Sequence, residues 1–328
     1  MTKRIVARVY TPGEPEAIKL EEATLPDPGP GEVTLRHTAI GLNFQDIYMR
    51  SGLYPGPTPF GLGNEAAGVV EKVGAGVTDF KEGDRVCYAS GPVFEAYSTH
   101  RNFPAARLLH TPNGVQDDQA AAILLKGMTV EYLMHRCYPV KAGQAVLFHA
   151  AAGGVGLLAG QWGKHLGARM IGVAGGPQKC DLARHNGYEV CLDRKSDDIA
   201  ARTRELTGGK GVAVVFDSVG KDSFEASFNS LAPRGFFVSF GQTTGHPPPV
   251  TGAMLQKQGS LYFTRPTLVT YTADTQELRE SAKLVFDQLM RGVLKVSINQ
   301  RYPISDVVKA HRDLQSGLTS GSSVIIPA

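Results

Sequence analysis

A stretch of very small side chains follows a short apolar run near the middle of this 328-residue sequence, and its spacing suits the binding of a phosphate. Val146, Leu147 and Phe148 indicate a buried parallel strand, because both faces of such a strand are apolar. Residues 150–156 read Ala-Ala-Ala-Gly-Gly-Val-Gly, and apolar residues then recur at helical spacing up to Leu166. Strand, glycine-rich turn and helix together predict a pyrophosphate site at a helix N-terminus. The alternative is a tight turn that binds no ligand.

The residues after the next expected strand bear on the choice of nucleotide. An acidic side chain there would bind an adenosine ribose and repel a 2′-phosphate. The chain has no acid at 173–176; Gly175 ends the strand and Lys179 follows, while Arg194 and Lys195 come after the third expected strand. Small residues beside cations form a pocket for a dianionic phosphate, so the sequence favours NADP(H) over NAD(H). The alternative is that Lys179 and Arg194 are solvated surface charges.

Short polar and aromatic side chains occur together between residues 41 and 54, at the end of an expected strand. Asn43 and Asp46 could orient a ribose or a carboxamide. Tyr48 and Tyr54 could line a flat, apolar substrate slot and donate a hydrogen bond. We therefore take Asn43, Tyr48 and Tyr54 as candidate catalytic residues. The segment by itself leaves another interpretation open, in which Asn43 and Asp46 cap the following helix and the tyrosines are packing residues.

Two other chemistries find no support in the residue spacing. The nine histidines include no His-x-x-x-His pair, and the four cysteines do not cluster, so no metal site is expected. The sequence contains no Gly-x-Ser-x-Gly, which a serine hydrolase of the nucleophile-elbow type would need. Scattered cysteines predict reduced thiols in a reducing compartment.

The bulk properties are those of an ordinary globular enzyme. A chain of 328 residues is long for one core and predicts about two domains. The formal net charge of +3 gives no electrostatic case for nucleic acid or an anionic membrane as a partner. No apolar run approaches the roughly 18 residues that a membrane span needs, and the N-terminal residues lack the apolar core of a signal peptide. A cytoplasmic protein is expected.

The elements that must position these residues fall into two kinds of region. Short alternating segments between proline and glycine clusters fill residues 4–125 and indicate a β-rich, mostly antiparallel domain. Strands and helices then alternate, which indicates a parallel, doubly wound sheet. Its later strands are expected at 169–174, 190–192, 212–216, 236–240 and 260–263, and its helices at 129–136, 155–166, 178–185, 199–206 and 224–231. The tail, with a long helix at 275–291 and a last strand at 323–326, is assigned to the β-rich domain.

Taken together, these motifs resemble a known family. The chain is similar, nearly end to end, to the NADPH:quinone oxidoreductases, the zeta-crystallin-like, zinc-free branch of the medium-chain dehydrogenase/reductase superfamily. The resemblance rests on ordered blocks at residues 39–46, 50–55, 61–68, 83–86, 125–129, 148–156, 217–220, 238–241 and 264–266. It implies an α/β fold with a Rossmann NADPH-binding domain at 126–266 and a β-rich, GroES-like catalytic domain at 1–125 and 267–328.

The resemblance also implies which residues hold the cofactor, in the cleft between the two domains. The pyrophosphate is expected on Gly153, Gly154, Val155 and Gly156, and the 2′-phosphate on Lys179. The remainder of the cofactor is expected to contact Ser218, Phe240, Gly241, Thr264 and Arg265, and its nicotinamide end Asn43, Asp46, Tyr48 and Thr129. Where relatives often carry a tyrosine at the adenine-phosphate pocket, this chain has Arg194, which should keep or strengthen the preference for NADPH.

Two asparagines separate the chain from the zinc-dependent members of the superfamily. Zinc alcohol dehydrogenases carry a cysteine where this chain has Asn43 and a histidine where it has Asn64. The four-cysteine lobe of their structural zinc is missing as well. A Lewis acid that polarises an alcohol oxygen is therefore not expected.

The implied activity is reduction of a quinone by NADPH, an acceptor strong enough to need neither a metal nor a dedicated strong acid. The sequence leaves open whether the electrons move together as a hydride or singly. A second interpretation is NADPH-dependent reduction of an α,β-unsaturated ketone or aldehyde. A third, from another class, is a nucleotide-loaded binding protein that acts as a crystallin or on RNA. The family is usually dimeric or tetrameric, so a homodimer is expected, with the apolar residues 260–263 as its seam or simply as an ordinary last strand.

Overall fold

The computed structural model of the chain describes residues 1–90 and 94–327 and divides into two compact units. Unit 1 comprises residues 1–125, 272–290 and 296–328, and unit 2 comprises residues 126–271 and 291–295. The strands are β1 (Thr2–Val9), β2 (Ile18–Leu25), β3 (Glu32–Leu42), β4 (Phe60–Gly61), β5 (Glu65–Val73), β6 (Arg85–Ala89), β7 (His100–Pro104), β8 (Leu109–His110), β9 (Ala145–His149), β10 (Arg169–Ala174), β11 (Val190–Asp193), β12 (Val212–Asp217), β13 (Leu231–Ser239), β14 (Tyr262–Thr264), β15 (Ile298–Pro303) and β16 (Ser322–Ile326).

The helices divide between the same two units, apart from one that runs across a boundary between them. They are α1 (Phe44–Ser51), α2 (Asp117–Glu131), α3 (Gly154–His165), α4 (Pro177–His185), α5 (Ile199–Leu206), α6 (Phe224–Ser230), α7 (Gly252–Lys257), α8 (Leu268–Tyr271), α9 (Thr275–Met290) and α10 (Val307–Gln315). A π-helical segment, Tyr132–Cys137, continues α2. Among the residues so described, no helix is both long and apolar enough to cross a membrane.

Unit 1 is built on antiparallel pairing around the long strand β3. Its larger sheet has the order β15-β16-β3-β5-β6-β8, with β7 also paired to β3, and a smaller sheet has the order β2-β1-β4. Val33, Leu35 and Ile40 of β3 are fully or almost fully buried, and they pack with Tyr302, Ile304 and Val307 from the C-terminal segment. This buried apolar surface explains why the tail of the chain joins the β-rich unit.

Unit 2 is a six-stranded parallel sheet in the order β11-β10-β9-β12-β13-β14. In the chain order of this unit that is 3-2-1-4-5-6, the arrangement of a dinucleotide-binding Rossmann sheet. The strands are apolar on both faces, as in Val212–Asp217, of which only Ala213 is not buried. The fold class predicted from the sequence, a doubly wound Rossmann sheet plus a β-rich GroES-like domain, is confirmed.

Several element boundaries differ from those expected. The helix expected at 129–136 begins twelve residues earlier, at Asp117, because Ala120, Ala121 and Ala122 are fully buried helix formers whose small side chains mask the helical period. The helix α10 was not expected. Its buried positions Val307, Ala310 and His311 do have helical spacing, but a histidine in an apolar position hides the pattern.

The domain boundaries expected from the sequence differ from the boundaries of the two units in two short segments. Residues 267–271 and 291–295 cluster with unit 2, whereas the sequence assigned them to the β-rich domain. The ring of Tyr271 stacks on Tyr132 with centroids 4.6 Å apart, and the carbonyl of Tyr271 accepts a hydrogen bond from Arg136. The N–H of Lys295 donates to Oε1 of Gln161 at 2.7 Å. These contacts tie both segments to helices of unit 2.

Candidate active site

The candidate residues of unit 2 gather at one edge of its sheet. All six strands are parallel, so their carboxyl ends lie at the same edge, and the chain turns there after each strand. Every cofactor-binding candidate of this unit except Thr129 lies at the end of one of these strands or in the turn or helix that follows it. In strand order from β9 they are residues 153–156, Gly175 with Lys179, Arg194, Ser218, Phe240 with Gly241, and Thr264 with Arg265. An edge of this kind, at the point where the strand order reverses, is where open α/β sheets bind ligands.

The glycine turn after β9 is shaped to accept an anion. Gly153 is the N-cap of α3 and has no side chain to cap the first N–H groups of that helix. Gly156 has no room for a side chain, because a Cβ there would overlap the carbonyl oxygen of Ala150 and lie 2.7 Å from the Cα of Ala151. Ala150 itself has φ +54°. The turn therefore brings bare backbone N–H groups to a helix N-terminus, which suits a pyrophosphate.

Three cations lie beside the turn that follows β10. The guanidinium Nε of Arg194 is 3.0 Å from where a Cβ of Gly175 would be, and the ammonium of Lys195 is 4.0 Å from the corresponding point at Gly176. The pKa of Lys179 is lowered by partial burial and by the charges of Arg194 and Lys195. The structure thus brings together the predicted Gly175, Lys179 and Arg194 and adds Lys195. Like charges held this close favour a dianionic ligand between them.

The acidic side chain of Asp193 lies beside this cation cluster, which is defined here as Lys179, Arg194 and Lys195. Its Oδ1 accepts backbone N–H groups from Gly176 at 2.8 Å and from Lys195 at 3.0 Å. These backbone hydrogen bonds, followed by the charges of Lys195 and Arg194, lower the pKa of the Asp193 carboxyl. The carboxylate therefore fixes the two loops that carry the cations.

The turns after β12 and β13 pack directly against each other. A Cβ at Gly241 would lie 2.7 Å from the carbonyl oxygen of Ser218, so glycine is required for this contact. The N–H of Phe240 donates to the carbonyl of Asp217 at 2.8 Å, and the ring of Phe240 packs against Phe148 of β9. Ser218, Phe240 and Gly241 therefore form one continuous surface at the sheet edge.

The remaining candidates of unit 2 lie at its ends. Thr264 is the last residue of the edge strand β14 and Arg265 follows it, and both are half-buried. Thr129 is 7% exposed and lies on α2 rather than at a strand end.

In unit 1, Asn43 and Asp46 are tied to the start of α1. Asn43 is the N-cap, and its N–H donates to Oδ2 of Asp46 at 2.9 Å, one half of a capping box. The Asn43 amide also donates to Oε2 of buried Glu65, whose Oε1 accepts the N–H of Leu125 at 2.7 Å. Asp46 is fully buried. The sequence left open that Asp46 caps the helix, and its hydrogen bond with the N–H of Asn43 agrees with that interpretation.

Tyr48 and Tyr54 form an aromatic pair at the other end of α1. Their ring centroids are 5.2 Å apart at an interplanar angle of 59°, and the N–H of Tyr54 donates to the carbonyl of Tyr48 at 3.0 Å. Tyr48 is 7% exposed and Tyr54 is half-buried. Phe44 adds a third ring 6.3 Å from Tyr48. The three rings form one aromatic cluster beside α1.

A buried hydrogen-bonded chain extends from Asp46 into α10 and was not anticipated from the sequence. The hydroxyl of Tyr97 donates to Oδ2 of Asp46 at 2.8 Å, and Nε2 of His311 lies 3.1 Å from the same hydroxyl. Tyr97 and His311 are fully buried. The three residues are far apart in the chain, so no local pattern connects them. Burial lowers the pKa of His311 to about 3 and that of His37, which contacts Ser98 and Tyr88, also to about 3.

These two histidines predict a loss of stability in mild acid. Both are neutral in the folded chain, whereas an unfolded histidine binds a proton near pH 6.5. Unfolding therefore takes up protons below that pH. The free energy of unfolding should fall as the pH decreases from about 6.5 towards about 3, by about 1.4 kcal/mol per pH unit for each histidine.

Urea unfolding followed by circular dichroism between pH 6.5 and 5 measures this slope. His311→Gln should reduce the mean slope over this range by about 1 kcal/mol per pH unit, because the unfolded imidazole is only half protonated at pH 6.5, and the exposed control His165→Gln should leave the slope unchanged. An unchanged slope in His311→Gln would contradict the assignment of His311 as a buried neutral group.

In the part of the chain that the structure describes, side chains that bind metals do not form a ligand group. Within residues 1–90 and 94–327, no three His, Cys, Asp or Glu residues are arranged so that they could hold a metal ion. Asn64 is 1% exposed, and Asn43 is hydrogen-bonded to Glu65. Neither amide is a good zinc ligand.

Comparisons with known proteins agree with this geometry. Residues 29–137 match the family model of the alcohol dehydrogenase GroES-like domain, and residues 154–286 match that of the zinc-binding dehydrogenases. The fold and the site together define an oxidoreductase of the medium-chain dehydrogenase/reductase superfamily.

Individual relatives narrow the class. The chain is 47% identical to a quinone oxidoreductase from Pseudomonas aeruginosa over the full length of both. The crystal structure of Escherichia coli quinone oxidoreductase complexed with NADPH superposes with a TM-score of 0.96 at 45% identity, covering 99% of this chain and 100% of that one. A 2-haloacrylate reductase from a Burkholderia species is 41% identical over 98% of this chain and 99% of its own length. The chain belongs to the quinone oxidoreductase family, in its zinc-free branch.

Proposed function

We propose that this chain is an NADPH-dependent quinone reductase that passes reducing equivalents from NADPH to a quinone without zinc. The observation that carries the proposal is the cation cluster of Lys179, Arg194 and Lys195 over Gly175 and Gly176, at the same sheet edge as the glycine turn. The family membership of the chain and the NADPH complex of its Escherichia coli relative support the same cofactor and the same class of substrate.

The residues of unit 2 are assigned to binding and orienting the cofactor. We assign the pyrophosphate to residues 153–156, where uncapped N–H groups meet the helix dipole. The cation cluster takes the 2′-phosphate by charge-assisted hydrogen bonds. Ser218, Phe240, Gly241, Thr264 and Arg265 are proposed to contact the remainder of the nucleotide, with Thr129 near its nicotinamide. When bound, NADPH supplies the reducing equivalents.

The residues of unit 1 are assigned to the substrate. We propose that Tyr48 and Tyr54 hold the quinone by ring contacts and that a tyrosine hydroxyl hydrogen-bonds a quinone oxygen. We propose that Asn43, at the start of α1, lies near the nicotinamide end of NADPH and near the substrate. For Asp46 we propose the capping role in place of a direct contact with cofactor, because its carboxylate is buried and already accepts hydrogen bonds from Asn43 and Tyr97.

The proposal is tested by the loss of reduced-nicotinamide absorbance with a benzoquinone, a naphthoquinone and an enone, each with NADPH and with NADH. Quinones should be reduced fastest, and NADPH should be strongly preferred. Binding of NADPH without turnover would leave only a nucleotide-binding protein. Equal rates with NADH would overturn the assignment of the cation cluster.

The relationship to 2-haloacrylate reductase favours a second candidate activity. An acrylate has a carbon–carbon double bond conjugated with a carboxylate, so its reduction is chemically related to that of an α,β-unsaturated ketone or aldehyde. The same cofactor site would serve both reactions. Faster turnover of the enone than of either quinone would assign the chain to this activity.

We further propose that the chain acts as a cytoplasmic homodimer. The four cysteines are all free, as expected in a reducing compartment. β14 is the last strand of its sheet, and Tyr262 on it is 53% exposed while its ring stacks on Phe236. An exposed apolar edge strand of this kind suits pairing with the same strand of a second copy.

A further inference from the structure

A buried polar cluster lies under the point where the strand order of unit 2 reverses. β9 and β12 are neighbours in the sheet, and the chain leaves β9 towards β10 on one side and β12 towards β13 on the other. His149 is the last residue of β9 and Asp217 the last of β12. They are 3% and 0% exposed, and Ser223 and Ser227, at the start of and within α6, are buried beside them.

Asp217 is the acceptor at the centre of this cluster. Its Oδ1 accepts the N–H groups of Val219 at 2.7 Å and Gly220 at 3.1 Å, which follow it in the turn. The hydroxyl of Ser223 donates at 2.7 Å, and that of Ser227 donates at 2.6 Å, both to Oδ2. A buried carboxylate with this many donors is fully satisfied, and it holds the turn after β12 in one conformation.

Ser227 connects this carboxylate to the neighbouring strand. Its hydroxyl also lies 2.8 Å from Nε2 of His149, whereas Nε2 of His149 and Oδ2 of Asp217 are 3.9 Å apart, too far for a direct hydrogen bond. A serine hydroxyl has a single proton, and here the carboxylate receives it. The serine oxygen must therefore accept a hydrogen bond from His149, which places a proton on Nε2 of that imidazole. Burial lowers the pKa of His149 although the charge of Asp217 opposes this, which favours the neutral imidazole with this single proton.

We propose that Ser227 is a positioning residue for the dinucleotide. Its hydroxyl bridges the last residues of two adjacent strands, His149 immediately before the glycine turn and Asp217 immediately before the turn at Ser218. The bridge fixes the spacing of the two turns against each other. The inference rests on the proposed function, in which both turns contact NADPH.

The variant Ser227→Ala tests the bridge, and Ser230→Ala is its matched control. Ser230 is also fully buried on α6, but its hydroxyl donates to the carbonyl of Ala226 and not to the cluster. Both variants lose one buried hydroxyl from the same helix. Ser227→Ala should raise the Kd for NADPH, measured by fluorescence titration, about tenfold, which is the loss expected for one buried hydrogen bond. Ser230→Ala should leave that Kd within about twofold of wild type.

A spectroscopic measurement distinguishes a positioning role of the Ser227 hydrogen bonds from a general effect on the stability of the fold. Nitrogen-15 NMR of the imidazoles should show His149 as the Nε2–H tautomer in the wild type and in Ser230→Ala, and a changed Nε2 signal in Ser227→Ala. The wild-type spectrum tests the network even if Ser227→Ala does not fold. An Nδ1–H tautomer in the wild type, or equal NADPH affinity in the two serine variants, would overturn the positioning role alone. A wild-type chain that binds no NADPH would overturn the proposed function together with it.

Discussion

Replacing Lys179 and Arg194 together by alanine is expected to raise the Kd for NADPH about 100-fold or more and to leave the Kd for NADH within about threefold. A hydrogen bond to a charged group contributes about 1.5–3 kcal/mol, so two of them correspond to a factor of about 100 at the least. NADH lacks the 2′-phosphate, so removal of the two cations removes no hydrogen bond from its complex. The partial burial of Lys179 and its repulsion by Arg194, which together lower its pKa, are both absent from the variant. The loss of this repulsion affects the free and the NADH-bound chain alike, so the Kd for NADH should hardly change.

The control for this prediction removes the same charge elsewhere in unit 2. Lys164 and Arg202 are exposed on α3 and α5, and the double variant Lys164→Ala/Arg202→Ala has the same net charge as the test variant. Its Kd for NADPH should stay within about twofold at physiological ionic strength, because exposed charges more than about 8–10 Å from the ligand are largely screened. A parallel loss of NADPH and NADH affinity in the test variant would contradict a 2′-phosphate pocket at the cation cluster.

The Rossmann sheet could be read from the sequence because each part of it is a local signal. Residues 212–216 are an apolar run that only a strand buried on both faces explains, and the helix at Ile199–Leu206 was predicted with its observed bounds. The glycine turn can be recognised as a nucleotide-binding motif because the strand, the small residues and the helix that it requires are consecutive in the chain. Alternation of such units then leaves a parallel sheet as the consistent arrangement.

The polar networks could not be predicted, because they depend on contacts between distant parts of the chain. His311 meets Tyr97 across 214 positions, and Ser227 meets His149 across 78. The periodicity of apolar residues shows which face of a helix is buried, but it does not show which polar group of another element contacts that face. Asn43 shows the same limit at short range. The residues around Asn43 were consistent both with a ligand contact and with a helix cap. Only the structure shows that the Asn43 amide contacts Glu65, which lies on another strand.

The largest structural effect is expected from Gly156→Ala. The new Cβ would overlap the carbonyl oxygen of Ala150 and lie 2.7 Å from the backbone of Ala151, and backbone atoms of a tight turn cannot move aside as a side chain can. The carbonyl of Gly156 also accepts the buried hydroxyl of Tyr188 at 2.7 Å, which anchors the helix on the far side. Helix α3 must therefore shift away from the turn. We expect a loss of about 2–3 kcal/mol in the free energy of unfolding, as for other overpacked sites.

The same shift moves the first N–H groups of α3 away from the pyrophosphate, so the Kd for NADPH should rise at least about 100-fold, more than the stability loss alone explains. Gly163→Ala is the control on the same helix. Its added Cβ would meet the thioether of Met170, a flexible side chain, and lies far from the glycine turn. It should cost some stability and leave the Kd for NADPH within about threefold. If Gly156→Ala binds NADPH as tightly as Gly163→Ala, the pyrophosphate does not lie on this turn, because a displaced N-terminus of α3 could not hold it unchanged.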